Sequence, residues 1–154
     1  MSKPKVIFIV GHSNWGKSQT LRELTGGSHR VRRTKIGGIE YFIRRMSNDD
    51  QPAGFIKRMG AMDPAYWPYI LAALCPDFMN KTKATAMVLQ HLKDKGYKLF
   101  FWVQSQQYGT SETILRTEIS SLRTFGQVEI FSEVAEANIR AKKFKAYITN
   151  VSAV

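Results

Sequence analysis

Apolar residues run without a break from Val6 to Val10. That pattern predicts a strand buried on both faces, as a central strand of a parallel sheet is. A helix is expected from the end of the following loop, carrying Leu21 and Leu24 and stopped by Gly26 and Gly27. Two strand-like stretches, Arg30 to Ile36 and Ile39 to Met46, flank Gly37-Gly38, a pair suited to a tight hairpin turn. The first is so polar that it reads as an edge strand; the second, with Tyr41, Phe42 and Ile43, lies further in. Ser47 to Asp50 ends it, and Pro52 opens a short helix with Phe55, Ile56 and Met59. Periodicity leaves Tyr69 to Leu74 open between a buried strand and a short helix. From Lys83 to Lys95 the pattern is helical, with Ala84, Val88 and Leu92 on one face and Gly96 just past the end. Leu99 to Val103 is another apolar strand, and Ser111 to Thr124 a helix with Ile114, Leu115, Ile119 and Leu122. Val128 to Phe131 and Glu133 to Tyr147 complete the pattern as a strand and a basic helix. Apolar strands alternating with amphipathic helices predict an α/β fold, a three-layer sandwich around a mainly parallel central sheet.

The chain has 154 residues, a length that suits one domain, and no repeat or linker divides residues 1–154. Its one cysteine, Cys75, cannot form an internal disulfide, and no Cys/His cluster has zinc spacing. The apolar run near the N-terminus is too short for a signal peptide and leads straight into a glycine loop. No apolar stretch approaches a membrane span. These features predict a cytoplasmic protein with no membrane partner. The formal net charge of +11 adds something the pattern does not show: an anionic partner, nucleic acid or another polyanion. Solubility is the rival reading, because the lysines and arginines are spread along the chain.

The candidate chemistry sits between the first strand and the first helix. Gly11-His12-Ser13-Asn14-Trp15-Gly16-Lys17-Ser18 satisfies G-x-x-x-x-G-K-[ST] in full. Gly11 and Gly16 permit backbone angles that a Cβ forbids, so that successive N–H groups can face one concavity and cradle phosphate oxygens. The predicted nucleotide contacts are Gly11, Ser13, Asn14, Trp15, Gly16, Lys17, Ser18 and Gln19. Lys17 is expected to reach the β- and γ-phosphates, and the Ser18 hydroxyl to ligate Mg²⁺. Trp15 either lies over the nucleotide or packs under the loop. His12 reads as a loop side chain rather than a catalyst.

The form G-x-x-N-x-G-K-S resembles the P-loop of Era-like and Ras-like small GTPases, within the P-loop NTPase superfamily. The order of elements supports the likeness over nearly the whole chain. The resemblance implies a hairpin after the first helix, matched at Arg30 to Met46, then a D-x-x-G motif. Asp50-Gln51-Pro52-Ala53-Gly54 stands there with one residue too many. It also implies a Mg²⁺-binding threonine before the hairpin, for which Thr25 and Thr34 are the candidates. The family's guanine motif, N-K-x-D after the strand at Leu99 to Val103, is missing. Gln104-Ser105-Gln106-Gln107 stands in its place, with no carboxylate for guanine. ATP is therefore favoured over GTP, in a divergent member or in another P-loop branch such as the small kinases.

P-loop enzymes place a carboxylate at a neighbouring strand end to hold Mg²⁺ through water. Asp50 is the preferred residue and Asp49 the second; both also suit a turn. Asp77 is the fallback if Tyr69 to Leu74 is a strand. The Gln104 to Gln107 amides either face the γ-phosphate and position water, with Gln104 first, or are loop polar groups. Arg116 and Arg123 share a helix face, as phosphate-neutralising arginines or as a solvated surface. Basic residues concentrate at His29 to Lys35, extended by Arg44 and Arg45, and again at Arg140, Lys142, Lys143 and Lys145. Both patches suit phosphate-backbone contacts, while edge-strand charges also prevent aggregation. The leading function is a Mg²⁺-dependent ATPase or nucleotide switch with an anionic macromolecular partner. A small kinase passing on a γ-phosphate and a non-catalytic nucleotide-binding module are the alternatives.

Overall fold

All six residues of β1 (Lys5–Val10) are buried, because strands flank it on both edges and helices cover both faces. The computed structural model describes residues 3–28 and 30–154, so His29, at the head of the basic run, lies outside the described residues. Strand β1 runs parallel to β4 (Tyr69–Leu74) on one side and β5 (Lys98–Gln104) on the other, with Val6 opposite Ile70 and Leu99. The undecided segment Tyr69–Leu74 is thus a strand. Placed between β1 and β3 (Ile39–Arg44), it is covered on both faces and carries no polar stripe for periodicity to detect. Beyond β3, β2 (Arg33–Ile36) pairs antiparallel at the sheet edge, and β6 (Gln127–Phe131) forms the opposite edge. The six-stranded order is β2-β3-β4-β1-β5-β6, with only the β2–β3 pair antiparallel. Gly37 and Gly38 make the hairpin turn at φ 59° and 79°, values that favour glycine.

Alternate residues of β1 feed two cores. Ile7 and Ile9 pack with Leu21 of α1 (Lys17–Glu23) and with Phe144 and Ile148 of α5 (Ala137–Val151). Val6, Phe8 and Val10 face the other way. They share a core with Phe55 and Met59 of α2 (Pro52–Gly60), Val88 and Leu92 of α3 (Thr85–Asp94) and Leu122 of α4 (Arg116–Arg123). The architecture is three-layered α/β, as the alternating pattern predicts. Each fully buried large apolar side chain contributes roughly 1.5–3 kcal/mol to this packing.

Several boundaries differ from expectation, each for a local reason. Helix α4 starts at Arg116 rather than Ser111. The Leu115 N–H donates to Glu118 Oε1 at 3.0 Å, a reach-back that fixes the first turn there. The preceding residues are extended instead, with the Ile114 N–H donating to the Ser105 carbonyl at 2.9 Å. Helix α3 starts at Thr85 because Ala84 adopts φ 50°. Strand β2 starts at Arg33, leaving Arg30 and Arg32 before it. Helix α5 spans Ala137–Val151, four residues later at each end than predicted. Its C-terminus is held by a residue the pattern does not single out. Lys5 is buried, and its Nζ donates to the carbonyls of Val151, Ser152 and Val154 at 2.8–2.9 Å, satisfying groups a helix end leaves open. Among the described residues, no helix is long and apolar enough to cross a membrane.

Candidate functional site

Helix α1 leaves β1 on one face of the sheet, whereas α2, α3 and α4 lie on the other. Connections that depart to opposite faces open a crevice beyond the carboxyl ends of the strands. Three segments meet there: loop 11–16 after β1, turn 47–51 after β3 and segment 75–84 after β4. The resulting cleft of about 370 Å³ is lined by Asn14, Gly16, Lys17, Ser18, Gln19 and Asp50. Of the predicted carboxylates, Asp50 is therefore the one that shares a wall with Ser18.

The loop is braced from behind by residues distant in sequence. Gln104 is only 2% exposed, and its Nε2 donates to the Trp15 carbonyl at 3.0 Å. It does not line the cleft, so the expectation that it faces a γ-phosphate is replaced by a loop-supporting place. Gln107 Nε2 donates to the Asn14 carbonyl at 2.8 Å. The Trp15 side chain is buried beneath the loop, edge-on to His12, rather than over the cleft. A Cβ on Gly11 would come within 3.0 Å of Gln104 Oε1, so the glycine lets the loop lie against its brace. Gly16 has φ 78°, and a Cβ there would run into the Arg140 guanidinium.

Arg140 corrects a second expectation. It is buried, not part of a C-terminal surface patch, and donates to Thr20 Oγ1 at 3.0 Å, the Ala135 carbonyl at 2.6 Å and the Gly16 carbonyl at 3.4 Å. Burial lowers its pKa. Arg45 is likewise buried, donating to Thr25 Oγ1 and the Ser28 carbonyl at 2.9 Å each, which ties Thr25 to the hairpin. Charge alone does not distinguish such residues from solvated ones; their signal is a three-dimensional environment.

His12 sits in a chain of polar contacts. Its Nε2 lies 2.8 Å from Glu118 Oε1 and its Nδ1 3.8 Å from Cys75 Sγ. The contacts to Cys75 and then Glu118 outweigh burial and push its pKa up to about 9. Lys17 is 5% exposed, and its Nζ donates to the carbonyls of Gly11 at 2.6 Å and His12 at 2.8 Å. Burial lowers its pKa, against the opposing fields of Cys75, Asp50 and Asp49. The first bond from α1 back to the loop is Thr20 N–H to the Gly16 carbonyl, at 2.9 Å. The amides of Lys17, Ser18 and Gln19 precede it, and a helix offers such amides no internal acceptor.

The carboxylates divide into two groups. Asp50 Oδ2 accepts from the Ser47 N–H and hydroxyl, both at 3.1 Å, which fixes it in the turn. Asp49 instead pairs with Lys83 Nζ at 2.8 Å, and Lys83 also reaches Asp77 Oδ2 at 3.2 Å. The Lys83 hydrogen bond is the main reason that the Asp49 pKa is lowered. Nothing in the helical pattern around Lys83 marks this bridging role. Asn48 joins the two turns, donating to the Cys75 carbonyl at 3.1 Å and accepting from the Cys75 N–H at 2.7 Å. Among the described residues, no three His, Cys, Asp or Glu side chains form a metal cage. Ser18 and Asp50 are two hard oxygen donors in one cleft, a set that fits Mg²⁺ when phosphate and water complete its shell. Arg116 and Arg123 are exposed on α4 and do not line the cleft. Compared with models of known protein families the chain matches none, and no curated protein matches it.

Proposed function

We propose that the chain is a P-loop nucleoside triphosphate-binding protein, a Mg²⁺-dependent ATPase or nucleotide switch that works with an anionic macromolecular partner. The observation that carries this reading is the joining of the complete G-x-x-x-x-G-K-S loop to a cleft where Lys17, Ser18 and Asp50 stand together. In it, the amides at the head of α1 and the Lys17 ammonium bind the β- and γ-phosphates. Lys17 exchanges its carbonyl contacts for phosphate oxygens, which are stronger charge-assisted acceptors. The Ser18 hydroxyl would be a ligand for Mg²⁺ and Asp50 would hold the ion through water; bound there, it would supply charge neutralisation at the phosphates.

Gln104 is bound to the Trp15 carbonyl, and the one carboxylate that lines the cleft, Asp50, is engaged with Ser47. That supports slow intrinsic turnover raised by a partner, the behaviour of a switch. A small kinase is the second reading, favoured by an arginine-lined cleft that borders Ser18.

Equilibrium binding of Mg²⁺–ATP to wild type and to Lys17→Ala tests the proposal. The variant should fold and lose affinity by at least about tenfold, the equivalent of one charge-assisted hydrogen bond of ~1.5 kcal/mol or more. Equal affinity in a folded Lys17→Ala protein would sink the nucleotide reading.

A further inference from the structure

A second cleft, of about 270 Å³, opens beside the first and shares Ser18 with it. Of its nine lining residues five are arginines, Arg22, Arg32, Arg44, Arg45 and Arg58, and none is acidic. Among the described residues, Arg22, Arg32, Arg44 and Arg58 have no carboxylate partner. The Nε atoms of Arg22 and Arg44 are buried with no acceptor among the described residues. Burial first, then the charges of Arg58 and Arg32, pull the Arg44 pKa down. Arginines kept for solubility point apart into water; these converge on one concavity, where each raises the energy of the next.

Phe42 lines this cleft and also a third one, of about 370 Å³, formed with Arg33, Tyr66 and Trp67. There the Phe42 and Trp67 rings lie 5.0 Å apart. Arg33 sits 5.3 Å from the Trp67 centroid and Arg58 5.7 Å from that of Phe42. Tyr66, at the outer rim, is 78% exposed. An arginine cleft without acids, beside an aromatic wall that ends in exposed Tyr66 and whose one acid, Glu40, is paired with Arg33 at 3.4 Å, supplies the two components of a single-strand nucleic-acid platform. Guanidiniums take the backbone phosphates and rings stack on bases of any identity.

We propose that these two clefts, which meet at Phe42, bind single-stranded nucleic acid along a path from Ser18 past Arg32, Arg44 and Arg58 to Tyr66 and Trp67. The inference deepens the anionic-partner part of the function proposed above and places that partner against the nucleotide cleft. It does not require nucleotide to be bound. A small phosphorylated acceptor fits less well. Arg45 is engaged with Thr25 and Ser28, but one or two phosphates still do not balance the other four guanidiniums, and the basic surface continues beyond the cleft through exposed Arg30 and Lys35.

Fluorescence anisotropy with a labelled oligothymidylate of about 20 nucleotides tests this, read between about 50 and 200 mM salt. Binding should be saturable and weaken steeply with salt. Arg32→Ala/Arg58→Ala removes two exposed side chains; it should lower the salt slope by roughly two units and leave ATP affinity unchanged. Tyr66→Ala should weaken binding at least about fivefold with the slope intact. Circular dichroism establishes that each variant is folded. Lys17→Ala should lose nucleotide yet keep the oligonucleotide, so failure of the nucleotide reading is distinguishable from failure of this one. The proposal is overturned by absence of oligonucleotide binding, by an unchanged slope in the double variant, or by equal affinity for a duplex of the same length. Pyrophosphate binding that requires Arg32 and Arg58, without oligonucleotide binding, overturns it in favour of a small acceptor.

Discussion

At the scale of single residues, the loop motif is legible because its spacing is local, while its supports are not. Gln104 and Arg140 reach the loop across 89 and 124 positions of sequence, and no window of residues contains both ends of such a contact. The loop motif can therefore be read from Gly11 to Ser18, whereas in the sequence Arg140 reads as one more surface cation. Gly16→Ala tests the brace. Alanine at φ 78° is strained by about 1–2 kcal/mol, and its Cβ also displaces the Arg140 guanidinium. Denaturant unfolding should show a loss of at least that size; a loss within ~0.5 kcal/mol would mean that the loop relaxes freely. His12 makes a second test. Its pKa is raised from 6.5 to about 9, so the protonated ring is favoured by folding. The stability it contributes is fully present below about 6.5 and is lost as pH rises through about 9. The imidazole should titrate by NMR with a midpoint near 9, and Glu118→Gln should move that midpoint down. A wild-type midpoint at or below 6.5 would show that the Cys75 and Glu118 contacts do not govern the ring.

Elements were legible where burial is one-sided or where the turn chemistry is special. The β2–β3 hairpin follows from Gly37-Gly38 and from a polar strand beside an apolar one. Tyr69–Leu74 was undecidable because a strand covered on both faces has no alternation, and only its pairing with β1 and β3 settles it. The start of α4 differs from the pattern because Ile114 and Leu115 extend the apolar spacing, yet Leu115 is exposed and the Glu118 carboxylate sets the boundary. The element ends that build the cleft are held together by Lys83, which links the turn after β3 to the segment after β4. The Lys83 hydrogen bond lowers the Asp49 pKa. For Asp77 burial acts upward, but the Met79 and Asn80 amides and Lys83 prevail and lower it. Folded carboxylates with depressed pKa values contribute stability above their ordinary value of 3.8, lost as pH falls through the folded values. Acid titration should therefore show wild-type stability dropping below about pH 4, and Lys83→Met should be less stable at neutral pH with a shallower acid limb. Parallel acid limbs in the two proteins would separate Lys83 from that transition.

Across the whole molecule, the loop is tied to nearly every layer. His12 joins it to α4, Gln104 and Gln107 to the end of β5, and Arg140 to α5, while β1 carries it through the centre of the sheet. A ligand that grips the loop is thereby coupled to global unfolding. Ligand at a hundred times its Kd adds about 2.7 kcal/mol to stability. For a chain of 154 residues, each kcal/mol raises Tm by roughly 2–4 °C, so saturating nucleotide should shift Tm by about 5–10 °C. No strong preference for guanine is expected. The segment that follows β5, where a guanine-reading carboxylate is expected in the small GTPases, holds Gln104 to Gln107, and two of those amides are spent on loop carbonyls. ATP and GTP, each with Mg²⁺, should therefore give Kd values within about a hundredfold, a difference under ~2.7 kcal/mol. At the same ligand concentrations, Lys17→Ala should cut both shifts to about half or less, because a tenfold loss of affinity leaves about 1.4 kcal/mol of stabilisation. A thermal-shift series with ATP, GTP, CTP and UTP reads all of this in one measurement. A full shift with GTP and none with ATP would show that another group reads guanine, and would return the chain to the small-GTPase pattern that its loop resembles.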